Sequence, residues 1–272
     1  MAVFRRDPCG ICCIILTYSA VIYADYCIVN HVVIPTISDR YIWGTIHVII
    51  FNIIAFLLLF SHSRASFSDP GVVPLPTESL DFSEINKARN SENGESEWTA
   101  CTKCEAYRPP RAHHCRICRR CIKKMDHHCP WINNCVGESN QKYFFLFLFY
   151  TGLLSLYAII LVAVSWTKEC VQCSKEYDKR TRFSIYTIIL MIESCLFGLF
   201  VMAMMCDQFS SITEDLTAIE NIQKQVRTSR KPRTALLAEV FGRGSYLLWF
   251  CPCTSTTTAN QVGSSGTDRF YV

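Results

Sequence analysis

Between Trp98 and Tyr143 the chain reads WTACTKCEAYRPPRAHHCRICRRCIKKMDHHCPWINNCVGESNQKY. Seven cysteines and four histidines fall within residues 101 to 135 of this block, and two of the cysteine pairs, Cys101/Cys104 and Cys115/Cys118, have metal-site spacing. Thiolate and imidazole are the donors that tetrahedral zinc favours, and the block has too few aliphatic residues to fold around a core of its own. Metal binding there would act directly as folding free energy. Two mononuclear sites need eight ligands, and if each is Cys3His they use six cysteines and two histidines. One cysteine and two histidines remain.

The spare thiol is best sought in Asp126-His127-His128-Cys129. A thiol attacks as its thiolate; a neighbouring imidazole can take the proton, and a carboxylate can fix the tautomer and favour the imidazolium. Pro130 then restricts the backbone and Trp131 brings an amphipathic ring. A competing reading is a purely structural zinc module that binds protein or nucleic acid, with Cys129 as one more ligand. Position favours the nucleophile, because Tyr143 opens a long apolar run only 14 residues after Cys129. At a bilayer surface a thiol can take an acyl group from a thioester in a nearly balanced exchange. That chemistry requires the sulfur to stay free of metal and exposed at the lipid boundary.

The elements that must position this block are membrane spans. Half of the 272 residues are apolar and 18% are Asp, Glu, Lys or Arg, too few charges for a water-facing surface. Apolar blocks at residues 10–35, 42–62, 143–166 and 183–206 are each near the roughly 20 residues needed to cross a hydrocarbon core. The first follows Arg5 and Arg6 but has no clear cleavage signal, so it reads as a span and not a signal sequence. The reading is an all-α polytopic membrane protein with four transmembrane helices and a zinc-binding cysteine-rich domain between helices 2 and 3.

Residues 63–142 hold 12 Lys and Arg, which predicts that this middle loop and both termini are cytosolic. The domains are then a cytosolic N-terminus (1–9), helices 1 and 2 (10–62), the cytosolic loop (63–142, core 98–142), helices 3 and 4 (143–206) with a luminal loop (167–182), and a cytosolic tail (207–272). Asp25, Asn52 and Glu193 lie within spans and should face protein or a cavity. Cys170-Val-Gln-Cys173 in the luminal loop reads as a disulfide or two inert thiols. With a net charge of only +4 and no basic arm, no nucleic-acid partner is expected.

The run Asp126-His127-His128-Cys129-Pro130-Trp131, followed by Asn134-Cys135-Val136-Gly137 and preceded by Asp69-Pro70-Gly71 after the second span, closely resembles the DHHC family of protein S-acyltransferases. The resemblance covers most of the chain. It implies autoacylation of Cys129 by palmitoyl-CoA or another long-chain acyl-CoA, then transfer to cysteine thiols of substrate proteins. In that family Asp126 would orient His127, His127 would act as general base, and Cys129 would carry the acyl thioester. Two structural Zn2+ would be held by Cys101, Cys104, His114 and Cys121, and by Cys115, Cys118, His128 and Cys135, leaving His113 as an accessory residue. The acyl chain would lie among the four helices.

The basic residues Arg108, Arg111, Arg116, Arg119, Arg120, Lys123 and Lys124 read as a solvated, headgroup-facing surface, and the resemblance allows some to meet coenzyme A phosphates. Where the family often has Thr-Thr-x-Glu this chain has Thr217-Ala218-Ile219-Glu220, so support of the site from there is expected to be weaker. Phe241 to Tyr246 only loosely echo the family's distal aromatic motif, which leaves a tail-packing role. Tyr246 to Phe250 with Cys251 and Cys253 suggest a membrane-touching segment open to acylation, and Cys9, Cys12 and Cys13 invite the same idea at the other end, with inert cysteines near lipid as the default reading. Expected partners are the bilayer, acyl-CoA, cytosolic-face proteins with membrane-proximal cysteines, and a peptide-binding domain for Phe270-Tyr271-Val272. The tail and overall arrangement look similar to Golgi members of the family.

Overall fold

A computed structural model of the chain describes residues 7–37, 41–76, 98–168, 177–224 and 231–254. Cys170, Cys173 and the C-terminal Phe270-Tyr271-Val272 lie outside them. The first helix, α1 (Pro8–Cys27), starts where sequence chemistry starts helices. Pro8 suits the first turn, and the Asp7 carboxylate accepts the Gly10 N–H at 3.2 Å. A π-helical turn (Ile28–Val33) and the short α2 (Ile34–Ile37) continue it. Pro35 has no N–H for the His31 carbonyl, and the helix widens just ahead of it. Then come α3 (Tyr41–Phe67), six short strands, α4 (Gln141–Thr167), α5 (Tyr177–Thr213), α6 (Ala218–Ile222) and α7 (Arg233–Phe241).

Four helical stretches are long and apolar enough to cross a membrane: Pro8–Thr36, Ile42–Phe67, Gln141–Thr167 and Lys179–Thr213. All four expected spans are present, but each helix outruns its apolar block. The largest correction is α5, which has 37 residues where the apolar run suggested 183–206. Its backbone hydrogen bonds continue through the mostly polar residues 207–213, because helix geometry does not stop where hydropathy does.

The described residues divide into two compact units. One takes in residues 14–62 and 145–208, the greater part of the four spans. Ile22, Phe56, Leu196 and Leu199 stand outward there at 66, 66, 65 and 74% exposure, an apolar surface suited to lipid and costly in water. Polar groups in this unit find partners: Asn52 Nδ2 donates to Asp25 Oδ1 of the first helix and to the Val48 carbonyl of its own, both at 3.0 Å. His47 Nδ1 and the Tyr157 hydroxyl meet at 2.7 Å, and Trp166 Nε1 donates to Thr187 Oγ1 at 3.1 Å. Asp25 and Asn52 thus satisfy each other, but Asn52 is exposed, so the expectation that it faces protein is not met.

The other unit gathers the start of α1, the cysteine-rich block with its flanks, and the tail. Its centre is three antiparallel hairpins, β1 (Thr99–Cys101) with β2 (Ala106–Arg108), β3 (His113–Cys115) with β4 (Arg120–Ile122), and β5 (His127–Cys129) with β6 (Asn134–Val136). The sequence reading placed no strands here, since three residues are too short for a legible alternation. Each of the first two hairpins closes on a CxxC turn whose next residue, Glu105 (φ 49°) or Arg119 (φ 52°), is left-handed. Small clusters fill the gaps: Cys115, Cys118, Ile122, Met125 and Cys135 in one, Val73, Cys101, Ala112 and Cys121 in another.

Asp69-Pro70-Gly71 fastens this module to the chain that leaves α3. Asp69 Oδ1 accepts the N–H groups of Gly71 and Val72, both at 2.8 Å, and Gly71 takes φ +100°, a conformation that favours glycine. The Gly71 carbonyl then accepts Lys123 N–H at 2.8 Å and the Cys121 carbonyl accepts Val73 N–H at 2.9 Å. Asn134 and Asn140 complete the fastening from the other side. Asn134 Nδ2 donates to the carbonyls of Ala65, Ser66 and Ser68, which leave the end of α3 without helical partners. Asn140 Nδ2 bridges the carbonyls of Ala65 and Cys135, at 3.2 and 2.8 Å.

Candidate active site

Hairpin register brings the ligand types together. His114 lies opposite Cys121 across β3/β4, and His128 opposite Cys135 across β5/β6. Cys101, Cys104, His114 and Cys121 form one group and Cys115, Cys118, His128 and Cys135 the other, with ligand atoms all within 4.8 Å of one another. The two groups interlock, because the β3/β4 hairpin serves both.

Their dimensions test the fit to zinc. Tetrahedral bonds of about 2.3 Å to sulfur and about 2.0–2.1 Å to nitrogen give edges of roughly 3.8 Å for S···S and roughly 3.6 Å for N···S. In the first group His114 Nδ1 stands 3.6, 3.2 and 3.9 Å from the sulfurs of Cys101, Cys104 and Cys121. In the second, His128 Nδ1 stands 3.7, 3.5 and 3.6 Å from those of Cys115, Cys118 and Cys135, and Cys118 and Cys135 are 3.5 Å apart. Both groups therefore have the size and donor set of a closed Cys3His zinc site.

Cys129 belongs to neither group, and nor does His113. The thiol is buried, at 5% exposure, where the sequence reading required an exposed one. It ends β5, inside the fold of the hairpin and its turn, Pro130–Ile132, and that turn closes on Asn133 in the left-handed region (φ 47°). Beside it His127 Nδ1 meets Asp126 Oδ2 at 2.7 Å, and the imidazole rests edge-to-face on Phe144 at 5.4 Å. His127 Nε2 is buried and has no hydrogen-bond partner among the described residues, so it is the ring atom available to the thiol. Burial pulls the imidazole's pKa down, but the Asp126 carboxylate and the Cys129 sulfur outweigh it and lift the pKa to about 9. An imidazolium is thus well supported next to the sulfur.

Asp126, 2% exposed, is itself held by groups far along the chain. Its Oδ1 accepts the Ala218 backbone N–H at 2.8 Å and the Ser211 hydroxyl at 3.3 Å. Ala218 begins α6, whose cap is a full capping box: Thr217 Oγ1 accepts Glu220 N–H and Glu220 Oε2 accepts Thr217 N–H. This corrects the expectation of weaker support, because the missing second threonine leaves a main-chain donor that any residue except proline supplies.

Arg111 is also corrected. It does not face headgroups but reaches inward, donating from Nε and Nη2 to the two oxygens of Glu220 (2.6 and 2.8 Å) and from Nη1 to Asp215 (2.7 Å). Lys124 Nζ joins Asp215 at 3.4 Å. Arg116 and Arg119 remain on the surface. Sequence reasoning missed Ser211, Asp215 and Lys142. Lys142 is fully buried, with Nζ donating to the carbonyls of Phe241 and Leu248 and to Thr254 Oγ1. The tail-packing role given to Phe241 and its neighbours is thus met through a lysine whose charge lay unremarked at the edge of an apolar run.

A family model described as DHHC palmitoyltransferase matches residues 94–225. Human palmitoyltransferase ZDHHC3 is 41% identical over 255 residues, 92% of this chain and 82% of that protein. Rat palmitoyltransferase ZDHHC7 is 38% identical over 255 residues, 92% and 80% of the two chains. The probable protein S-acyltransferase 15 of Arabidopsis thaliana is 35% identical over 178 residues, 65% and 67%. With its four membrane-length helices and paired Cys/His groups, the chain belongs to the DHHC palmitoyltransferase family, the membrane enzymes that move acyl groups from acyl-CoA to protein cysteines.

Proposed function

We propose that Cys129 carries the acyl group in two thioester exchanges, with His127 as general base and Asp126 orienting it. The observation that carries this reading is the division of the seven clustered cysteines: six fall into two zinc-sized groups, and the seventh stands beside an imidazole tied to a carboxylate. In the first exchange His127 Nε2 takes the Cys129 proton and the thiolate attacks the acyl-CoA carbonyl. The carbon–sulfur bond to coenzyme A breaks, and the departing thiolate recovers the proton from His127. In the second, the thiol of the substrate protein loses its proton to His127 and attacks the Cys129 thioester, the carbon–sulfur bond at Cys129 breaks, and its thiolate regains the proton from His127. Each exchange breaks one thioester and makes one, so no further energy source is needed.

Asp126, fixed by Ala218 and Ser211, holds the Nδ1–H of His127 and so directs Nε2 at the sulfur, where the imidazolium keeps the proton taken from Cys129. Zinc in the two Cys3His groups would supply the folding free energy that this module lacks in apolar core. Palmitoyl-CoA or another long-chain acyl-CoA is the donor, with its chain among the membrane helices. Substrates are proteins with cysteines near the cytosolic face.

The excess of Lys and Arg in residues 63–142 supports a cytosolic middle loop and cytosolic termini, with 167–182 luminal. That orientation keeps the sequence-derived division at residues 1–9, 10–62, 63–142, 143–206 and 207–272. Golgi membranes are the compartment this reading favours, on family likeness, and a peptide-binding domain is the partner assigned to the C-terminus.

The test is incubation of purified, zinc-loaded protein with labelled palmitoyl-CoA. Hydroxylamine-sensitive label on the peptide containing Cys129 is expected, and label that survives Cys129→Ser in full would overturn the reading.

A further inference from the structure

The start of α1 is seated on the active-site turn. An ideal Cβ built on Gly10 would stand 2.3 Å from Asn133 Oδ1 and 2.8 Å from Asn133 Cβ, so only a glycine allows the helix start to lie this close. Asn133 is four residues past Cys129 and closes the turn Pro130–Ile132. One turn beyond Gly10, the Cys13 thiol meets that of Cys9 and lies within electrostatic reach of the Cys129 thiol. Cys9 and Cys12 are exposed, Cys13 is half-buried, and positions 9, 12 and 13 share one face of the helix. Among the described residues, then, three thiols lie on the helix start that packs against the turn following Cys129.

From this arrangement we propose that Cys13 is an internal acyl acceptor of the enzyme, taking the acyl group from the Cys129 thioester of the same chain. The proposal rests on the reading of Cys129 as the acyl carrier. In the step, Cys13 gives its proton to His127, its sulfur attacks the thioester carbonyl, and the carbon–sulfur bond at Cys129 breaks. The Cys129 thiolate regains the proton, so one thioester replaces another and no oxidant, reductant or cofactor is required. Closeness favours the transfer: an acceptor on the same chain and near the thioester reacts as if at high concentration. An acyl chain on Cys13 would enter the lipid beside α1, where about 0.8 kcal/mol per buried methylene holds it.

The experiment uses the full-length, zinc-loaded protein in detergent, pulsed with labelled palmitoyl-CoA and chased with excess unlabelled coenzyme A, with acyl sites mapped by peptide mass spectrometry. Label on Cys129 should be lost quickly in the chase by reverse exchange, whereas label on Cys13, which must first return through Cys129, should be lost at least tenfold more slowly. Cys13→Ser should keep the fast-chasing label and lose the slow-chasing fraction at least tenfold. Cys129→Ser should lose both. A Cys13 peptide that stays unlabelled while Cys129 is labelled overturns the internal transfer and leaves the acyl-carrier reading intact. Cys13 labelled equally well in Cys129→Ser also overturns it, since the acyl group would then come directly from palmitoyl-CoA. No label on Cys129 in a wild-type protein that still acylates substrate would sink the carrier reading itself. A tagged Cys129→Ser chain mixed with wild type should remain unlabelled at Cys13, and label there would make the transfer intermolecular and overturn the same-chain step.

Discussion

Asp126 concentrates the chemistry of the site in one side chain. One oxygen orders His127, and the other is claimed by Ala218 and Ser211. In Asp126→Asn the Ala218 N–H will hold the amide oxygen, so the amide N–H2 faces His127 Nδ1 and forces the proton to Nε2. That tautomer cannot accept from the thiol, and the autoacylation rate should fall on the order of 10³-fold with zinc content unchanged. Rapid-quench labelling and metal analysis on the same preparation check both halves. A neighbouring substitution works through stability instead. Arg111→Met strands the Glu220 carboxylate, 1% exposed, and should cost about 3–5 kcal/mol, read as a lowered thermal midpoint in detergent. The side chains proposed for catalysis stood out in the sequence because their types are rare and adjacent, as Asp126, His127 and Cys129 are. Arg111 was misread for the opposite reason: its partners Asp215 and Glu220 lie more than 100 residues away, and one charge among seven carries no mark of which way it points.

The hairpins determine which cysteines can meet. Cys115 sits in β3 within the group that also holds His128, the residue before Cys129. Cys115→Ser should therefore lose one zinc per chain and all detectable autoacylation, measured by metal analysis and label incorporation. Gly137 shows how closely the elements fit, because a Cβ there would stand 2.4 Å from the Pro70 carbonyl oxygen and 2.7 Å from Ile122 Cγ2. The first of those neighbours is backbone. Gly137→Ala should destabilise the module by about 1–3 kcal/mol, visible as faster zinc loss to a chelator. The sequence could not show these strands, since a three-residue strand set by a CxxC turn has no periodicity to detect. It did show the four spans, whose signal is mere length of apolar run. Their ends were hidden because helices such as α5 run on through polar residues once their hydrogen bonds are established.

Across the whole chain, the cysteine-rich unit is made of pieces far apart in sequence: the turn that opens α1, the middle loop and the tail. Lys142 joins the last of these, with three acceptors from residues 241 to 254 around its ammonium. Lys142→Met should release that part of the tail, and limited proteolysis should cut between residues 242 and 254 several times faster than in wild type. Such long-range assembly explains why composition and motif alone gave the chemistry and the membrane class but not the support of the site. The central claim is that metal and acyl group are held by different sulfurs. Its most direct test is the zinc content of purified Cys129→Ser, which should equal wild type at two ions per chain, whereas loss of one ion would make Cys129 a ligand and contradict the account.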